Sequence, residues 1–107
     1  MKKKAIGSRG SWFATIDGEA FPCVHEYWWR KGGFYHDPNA RPEEGKWIEF
    51  IGALKTKKRA ILTKDKVLDE LLAFERLGYV ALFEIDDVIV DGPNLTFRFG
   101  KRIAELE

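Results

Sequence analysis

A turn between two apolar runs constrains the fold of this chain more than any other feature. Asp91-Gly92-Pro93-Asn94 separates the apolar stretch 79–85 from residues 95–99, where large apolar residues alternate with polar ones. Such alternation is typical of a strand with one buried face, and turn residues between two such runs indicate a hairpin. The C-terminal third therefore predicts antiparallel sheet, with a central strand at 79–85 and a bulge at Asp86-Asp87.

Shorter signals predict strands in the N-terminal half as well. Asp17-Gly18 and Gly32-Gly33 permit tight turns, because glycine adopts positive φ without steric cost. Pro22 lacks an amide donor and is therefore confined to a strand start, an edge or a bulge. The expected strands are Ser11 to Ile16, one from about Ala20, Cys23 to Trp29, Phe34 to His36 and Ala60 to Thr63.

Two segments have helical spacing instead. The first begins near Pro42, which suits a first helical position, and ends in cations that favour a helix C-terminus. The second is expected from about Asp65 to Leu77, with Gly78 as its terminator. The apolar positions are Trp47, Ile48, Ile51 and Leu54 in the first segment, and Val67, Leu68, Leu71, Leu72 and Phe74 in the second.

Together these elements predict an α+β fold. It consists of a small curled, mostly antiparallel sheet or partly open barrel of about five to seven short strands, with two helices. Residues 1–10 are expected to form a mobile basic lead-in. Residues 11–107 are expected to form a single globular domain, because a chain of 107 residues buries only one core.

Composition excludes several classes of protein. With 45% hydrophobic and 33% charged residues, the chain is neither disordered nor collagen-like. No apolar run approaches the ~18–20 residues that a membrane span requires. Cys23 is the only cysteine, so a disulfide within the chain is impossible. The N-terminal lysines have no apolar segment behind them, which argues against a signal peptide and predicts a cytoplasmic location.

The net charge of +1 conceals an uneven distribution. Residues 1–64 hold 13 Lys and Arg against 7 Asp and Glu, whereas residues 65–107 hold 5 against 10. A basic part of the surface favours contact with nucleic acid. The alternative is that the two parts of the chain neutralise each other.

The segment from Phe21 to Pro38 contains both histidines, the cysteine, two of the four tryptophans and two of the three tyrosines. A two-residue turn at Lys31-Gly32 would place Trp29 opposite Phe34 and Trp28 opposite Tyr35. His25, Tyr27, Trp29, Phe34 and His36 would then share one face of the hairpin. Whichever face packs on the core, this hairpin has more aromatic surface than one face of a small core needs. Surplus aromatic rings on a solvent-exposed face indicate ligand recognition.

These features predict a non-catalytic module that binds RNA or DNA, as a single strand or an extruded base. Rings would stack on bases, cations would neutralise phosphates, and histidines would orient the ligand. In outline, a small mixed barrel that ends in an apolar strand and a strand hairpin is similar to the PUA-like group of base- and RNA-binding domains. The predicted ligand-binding residues are His25, Tyr27, Trp28, Trp29, Arg30, Lys31, Tyr35, His36, Lys57, Lys58 and Arg59.

Two other classes of function remain open at this stage. A protein–protein interaction module, such as an adaptor, an inhibitor or an immunity-type protein, could use the acidic stretch at 84–91. A small enzyme could use His25 and His36 as acid and base, or Cys23 with His25 as a nucleophile. A zinc variant would use Cys23, His25, His36 and Asp37. The sequence predicts no cofactor, metal or membrane partner, and the oligomeric state is left open.

Overall fold

The computed structural model describes residues 2–7, 12–68 and 74–107. Within them, the chain forms an open mixed sheet of eight strands and one α-helix. The elements are β1 (Ile6–Gly7), β2 (Phe13–Ile16), β3 (Glu19–His25), a 3₁₀ helix (Glu26–Trp28), β4 (Trp29–Arg30), β5 (Phe34–Asp37), α1 (Gly45–Lys57), β6 (Arg59–Val67), β7 (Phe74–Asp91) and β8 (Asn94–Glu105).

The strands are arranged in the order β1-β2-β3-β6-β7-β8-β5-β4. All neighbouring pairs are antiparallel except β3 and β6, which run parallel with Cys23 opposite Ile61 and His25 opposite Thr63. The 3₁₀ helix carries the chain from β3 to β4, which lies at the far edge of the sheet. This short connection thus places the end of β3 close to β4, although four strands separate them in the sheet.

The predicted fold class is wrong in its helix and strand content. The second helix, expected over Asp65 to Leu77, does not form in the described part of that segment, where β6 extends to Val67 and β7 begins at Phe74. Cross-strand pairing explains the difference, because Asp65 lies opposite Arg76 and Lys66 opposite Glu75. Tertiary pairing overrides a local helical pattern of this kind. Leu71 and Leu72 lie outside the described residues.

The first helix is confirmed, with a later start than Pro42. It begins at Gly45 and ends with Lys58 in the left-handed region at φ 53°. Ile51 and Leu54 are buried as expected, and Phe50 is buried with them. Ile48 was expected to be buried but is 58% exposed.

The predicted turns and bulge are confirmed. Asp17 and Gly18 have positive φ values of 52° and 82° and connect β2 to β3. Gly92 and Pro93 connect β7 to β8. The register between these two strands shifts between Asp86 and Ile89, around a positive φ at Asp87.

The predicted hairpin register is wrong by one residue. Trp29 lies opposite Tyr35, and Arg30 lies opposite Phe34. The turn contains three residues, and the strand expected over Cys23 to Trp29 is interrupted by the 3₁₀ helix. As a result Trp28 leaves the ladder, and the five side chains expected on one face are not arranged as a single row.

Two apolar clusters cover the sheet. The larger cluster lies between the sheet, the 3₁₀ helix and α1, and the smaller one includes residues from both ends of the chain. Lys3 forms a parallel bridge to Leu106, and Ala5 is buried. The larger cluster includes Val24, Trp28, Tyr35, Phe50, Leu54, Leu62, Phe83 and Phe97. The smaller includes Ala5, Ala14, Ile16, Phe21, Cys23, Ile61, Leu82 and Leu106.

Candidate functional site

A row of three side chains crosses β4, β5 and β8 on the side of the sheet away from the larger cluster. Arg30 is paired with Phe34, and Phe34 with Arg98, so the aromatic residue lies between two cationic ones. Directly opposed residues project from the same face, and neighbouring strands are ~4.8 Å apart. Phe34 is 38% exposed and the Arg98 side chain 69% exposed. We call the row Arg30–Phe34–Arg98 the outer row.

His36 lies two residues after Phe34 on β5, so the two side chains project from the same face of the sheet. It is opposite Thr96, and its Nε2 lies 2.9 Å from Oδ1 of Asn94. On the β7 side this face becomes acidic, since Asp86 lies opposite Arg98 and Asp87 approaches the Arg98 guanidinium at 3.9 Å. The cationic part of the face is therefore on the β4–β5 side.

Three of the four aromatic residues predicted to bind a ligand are packed in the molecule. Trp28 is 5% exposed and Tyr35 is 1% exposed. Tyr35 stacks on Phe97 at 4.7 Å between ring centroids, and the half-buried Trp29 stacks on Phe99 at 4.3 Å. These rings stabilise the hairpin against β8 by their contacts.

Tyr27 is the exception, with 47% of its surface exposed. Its ring meets Trp28 edge-on at 4.7 Å, and its carbonyl oxygen accepts a hydrogen bond of 3.1 Å from the Arg30 guanidinium. Arg30 also lies over the Trp28 ring at 5.6 Å. Tyr27 is thereby held beside one end of the outer row.

The predicted cations occupy two places. Lys31 is exposed in the turn between β4 and β5, while Lys57, Lys58 and Arg59 lie where α1 passes into β6. The amide of Ile85 donates to the carbonyl of Lys58, and the amide of Phe99, across from Ile85, donates to the carbonyl of Gly33. Three strand spacings, or ~14 Å, therefore separate Lys58 from the hairpin turn.

Lys57 differs from its neighbours because it has local partners. Its Nζ lies 3.4 Å from a Glu19 carboxylate oxygen and 5.1 Å from the centre of the Phe21 ring. Lys58 and Arg59 are exposed. They are consequently better placed than Lys57 to meet a phosphate.

A second polar group lies at the end of β3, where the sequence indicated only a histidine. Nδ1 of His25 lies 2.8 Å from Oδ2 of Asp65. The Thr63 hydroxyl donates to the same oxygen, and Nε of Arg76 lies 3.4 Å from Oδ1. The Asp65 side chain is 1% exposed and that of His25 is 27% exposed. We call His25, Thr63, Asp65 and Arg76 the histidine–aspartate cluster.

Electrostatics keep the carboxylate of this cluster ionised. Burial favours the neutral acid, but hydrogen bonds from His25 and Thr63 and the charge of Arg76 hold the pKa of Asp65 below its ordinary value. A carboxylate only accepts hydrogen bonds, so Nδ1 of His25 carries the proton that joins them.

Cys23 lies on the buried side of this cluster. It is 4% exposed, and burial raises the pKa of its thiol to about 11, against the opposing effect of the nearby Arg76 charge. A thiol with this pKa is protonated at neutral pH and is a weak nucleophile. The arrangement therefore gives no support to Cys23 as a catalytic nucleophile.

Asp37 and Tyr35 are buried on the opposite side of His25. The amide of His25 lies 3.4 Å from the Tyr35 hydroxyl oxygen, to which it donates. Burial raises the pKa of Asp37, while the hydrogen bond from the Asn39 amide and the charges of His25 and His36 oppose this rise. Burial, followed by the charge of Asp37, raises the pKa of Tyr35 well above its ordinary value.

A zinc site made from Cys23, His25, His36 and Asp37 is not assembled. In the described ranges, no three His, Cys, Asp or Glu side chains are grouped closely enough to hold a metal ion. His25 and His36 instead have separate partners, Asp65 and Asn94. The described part of the chain also has no helix of the length and apolar character needed to cross a membrane.

Sequence reasoning missed Thr63, Asp65, Arg76 and Arg98. The first three depend on the β3–β6 and β6–β7 pairings, which no local signal indicated, since residues 65–77 have helical spacing. Arg98 had a usable signal, because it alternates with Phe97 and Phe99 and so belongs to the polar face of its strand. Comparison with known proteins identified no relative: no family model, curated protein or solved structure matches this chain.

Proposed function

We propose that this protein binds single-stranded nucleic acid on the outer row and the neighbouring Tyr27. The observation that carries the proposal is the placement of Phe34 directly between Arg30 and Arg98 on an exposed sheet face. An aromatic ring offers a stacking surface to any base, and flanking guanidinium groups bind phosphates on either side. Stacking is thus assigned to Phe34 and Tyr27 in place of the packed Trp28 and Tyr35.

One further cation extends this surface, and two others lie beyond an acidic strand. Lys31 continues it at the hairpin turn, and Lys58 and Arg59 lie three strand spacings away, at ~14 Å. The acidic residues of β7 lie between Lys58–Arg59 and the outer row, so the proposed path of the phosphates runs along β4 and β5 past Lys31. Asp86 and Asp87 border the face on the β7 side and would repel a backbone that strayed there. His36, between Phe34 and Asn94, is assigned to hydrogen bonding with the ligand.

Fluorescence anisotropy with labelled single-stranded RNA, single-stranded DNA and duplex DNA at two salt concentrations tests the proposal. Phe34→Ala is expected to weaken single-strand binding by ~1–3 kcal/mol, the usual cost of one lost stacking contact. Arg98→Gln is expected to weaken binding and to reduce its salt dependence by about one phosphate contact. Two exposed residues on α1 serve as controls, Ile48→Ala for the aromatic and Lys46→Gln for the cation.

Equal affinity of the wild type and the two outer-row variants would refute the assignment of the site. Absence of binding to all three ligands at low salt would refute nucleic-acid binding itself.

A cytoplasmic location is part of the proposal, since the only cysteine of the chain has no disulfide partner within it. Fractionation of the source cells tests that location.

A groove beside α1 supports a second candidate function, the binding of a protein partner. The groove has a volume of about 300 Å³ and is lined by Pro42, Ile48, Ile51, Gly52, Lys55 and Val90. Its lining is mainly apolar, and Ile48 is 58% exposed. Stoichiometric, salt-insensitive capture of one protein that Ile48→Arg abolishes and Phe34→Ala leaves intact would favour this function over the first.

A further inference from the structure

The neighbouring Asn94 determines which nitrogen of the His36 ring carries a proton. Nδ2 of Asn94 lies 3.4 Å from the carbonyl oxygen of Asp91, which only accepts hydrogen bonds, so the amide nitrogen must face it. Oδ1 of Asn94 then faces Nε2 of His36 at 2.9 Å, and this oxygen is also only an acceptor. Nε2 of His36 therefore carries a proton whether the ring is neutral or charged.

The second ring nitrogen, Nδ1 of His36, is accessible from the outer face. Within residues 2–7, 12–68 and 74–107, every buried side-chain nitrogen or oxygen has a hydrogen-bond partner. The His36 ring forms one hydrogen bond to these residues, through Nε2. Because Nδ1 has no partner among them, it is not one of the buried atoms, and a ligand on this face can reach it.

Strand pairing places the His36 ring beside the proposed stacking surface. Phe34 and His36 are alternate residues of β5, so their side chains project from the same face and their Cα atoms are ~7 Å apart. Arg98 lies opposite Phe34 and Thr96 opposite His36 on β8. A nucleotide stacked on Phe34 thus has Arg98 beside it on the next strand and His36 beside it along β5, in the direction of the proposed path of the phosphates.

A phosphate at this position selects one charge state of the His36 ring. The oxygens of a phosphodiester accept hydrogen bonds and donate none. In the neutral ring Nδ1 is an acceptor too, because Nε2 holds the proton. Protonation makes Nδ1 a donor and adds a positive charge, which gives a charge-assisted hydrogen bond to the phosphate.

We propose that His36 binds a phosphate of the strand through Nδ1 in its protonated form, so that binding takes up one proton from the solvent. This inference rests on the proposed function, since the strand must first occupy the outer row. Imidazole groups change charge between pH 5 and pH 8. Because coupling between two bound species is reciprocal, the affinity for the strand rises as the pH falls through this range.

Charged groups on the elements around His36 are the same in the free and the bound protein. The strand is what adds negative charge to the face on binding, so proton uptake on binding reports its phosphates. The charged and titratable side chains of these surrounding elements are Arg30 on β4, Arg98 on β8, Asp86, Asp87 and Asp91 on β7, Asp37 on β5, Glu26 in the 3₁₀ helix and His25 at the end of β3.

The test measures proton uptake and affinity with oligo-dT, whose bases and phosphodiesters keep their charge between pH 6 and pH 8. Titration calorimetry at pH 7, in two buffers of different ionisation enthalpy, gives the number of protons taken up, which is expected to be positive. Fluorescence anisotropy at fixed ionic strength gives the Kd. The wild-type Kd is expected to increase about tenfold from pH 6 to pH 8, in line with the loss of one hydrogen bond to a charged group.

Two variants of β5 assign the proton to a residue. His36→Gln cannot take up a proton and is expected to bind oligo-dT with the same Kd at pH 6 and pH 8. Asp37→Asn is the matched control, because it removes the adjacent titratable group, which is buried on the other face of β5. This variant is expected to keep the pH dependence of the wild type.

Each remaining outcome overturns a defined statement. Binding without proton uptake, or a pH dependence that persists in folded His36→Gln, would overturn this inference and leave the proposed function intact. If His36→Gln fails to fold, the NMR signals of the two histidine rings in the wild type, followed against pH with and without oligo-dT, decide the question. A His36 signal that oligo-dT leaves unchanged would again overturn the inference. Absence of binding at every pH would overturn both.

Discussion

The pKa values of two buried carboxylates, Asp37 and Asp65, are shifted in opposite directions. Asp65 has His25, Thr63 and Arg76 as partners, and these outweigh its burial and lower its pKa. Asp37 has one hydrogen bond of 2.8 Å from the Asn39 amide, with His25 and His36 further away, and burial raises its pKa. The number and charge of the hydrogen-bond donors thus decide whether a buried carboxylate is stabilised in its ionised form.

Asp37→Asn is expected to stabilise the protein at neutral pH. Because folding raises the pKa of Asp37, the folded state binds this proton more tightly than the unfolded state. The wild type therefore loses stability as the pH rises from the ordinary carboxyl value of 3.8 through the folded pKa. Asparagine keeps an acceptor oxygen for the Asn39 amide and cannot ionise.

Urea unfolding of both proteins between pH 4 and pH 7 measures this effect, with the difference expected to grow as the pH rises. The exposed Asp91→Asn is the control for removing a surface carboxylate. A difference that stays constant or shrinks with rising pH would contradict the account of Asp37.

At the scale of elements, local signals predict the structure where a residue's own neighbours in sequence determine its conformation. The turns at Asp17-Gly18 and Gly92-Pro93 and the helix after Pro42 follow from glycine, proline and charge placement. The helix predicted over residues 65–77 does not form in the described part of that segment, because its helical spacing competes with pairing between β6 and β7, which no short window of sequence contains. The candidate site was found only in part for the same reason: His25 and His36 were visible, but the partner Asp65 depends on that pairing.

Two glycines make the difference between helix and turn measurable with the same added methyl group. Gly52 lies inside α1, and a Cβ there would meet no atom within 4 Å. Gly52→Ala is expected to raise stability by ~1 kcal/mol, or about 5 °C in Tm, because alanine lowers the entropy of the unfolded chain.

Gly33→Ala is the matched variant, with equally open space but a φ of +80°. It is expected to lower stability by ~1 kcal/mol, since a side chain is strained in that region. Thermal unfolding of both variants gives the comparison. Equal signs for the two substitutions would show that backbone conformation does not control these positions.

At the scale of the whole molecule, the two ends of the chain complete the smaller apolar cluster. Lys3 donates its amide to Glu105 at 2.9 Å and accepts from the amide of Glu107 at 3.1 Å. Leu106 donates to the carbonyl of Val80, and its side chain is buried in the cluster that also contains Ala5. The sequence predicts a mobile lead-in over residues 1–10, and it contains no local signal for a contact between residues about 100 positions apart, which arises only when the sheet assembles.

Leu106→Ala is therefore expected to lower the free energy of unfolding by about 3 kcal/mol, the usual result of truncating a buried leucine. Leu77→Ala is the matched control, since Leu77 is 57% exposed on β7 and its truncation is expected to change stability by ~0.5 kcal/mol or less. Urea unfolding measures both values. Similar values for the two variants would mean that residue 106 is not part of the cooperative core. A large loss at Leu106 alone would show that the segment after β8 belongs to the cooperative core, in the cluster that also contains Cys23 of β3 and Ile61 of β6.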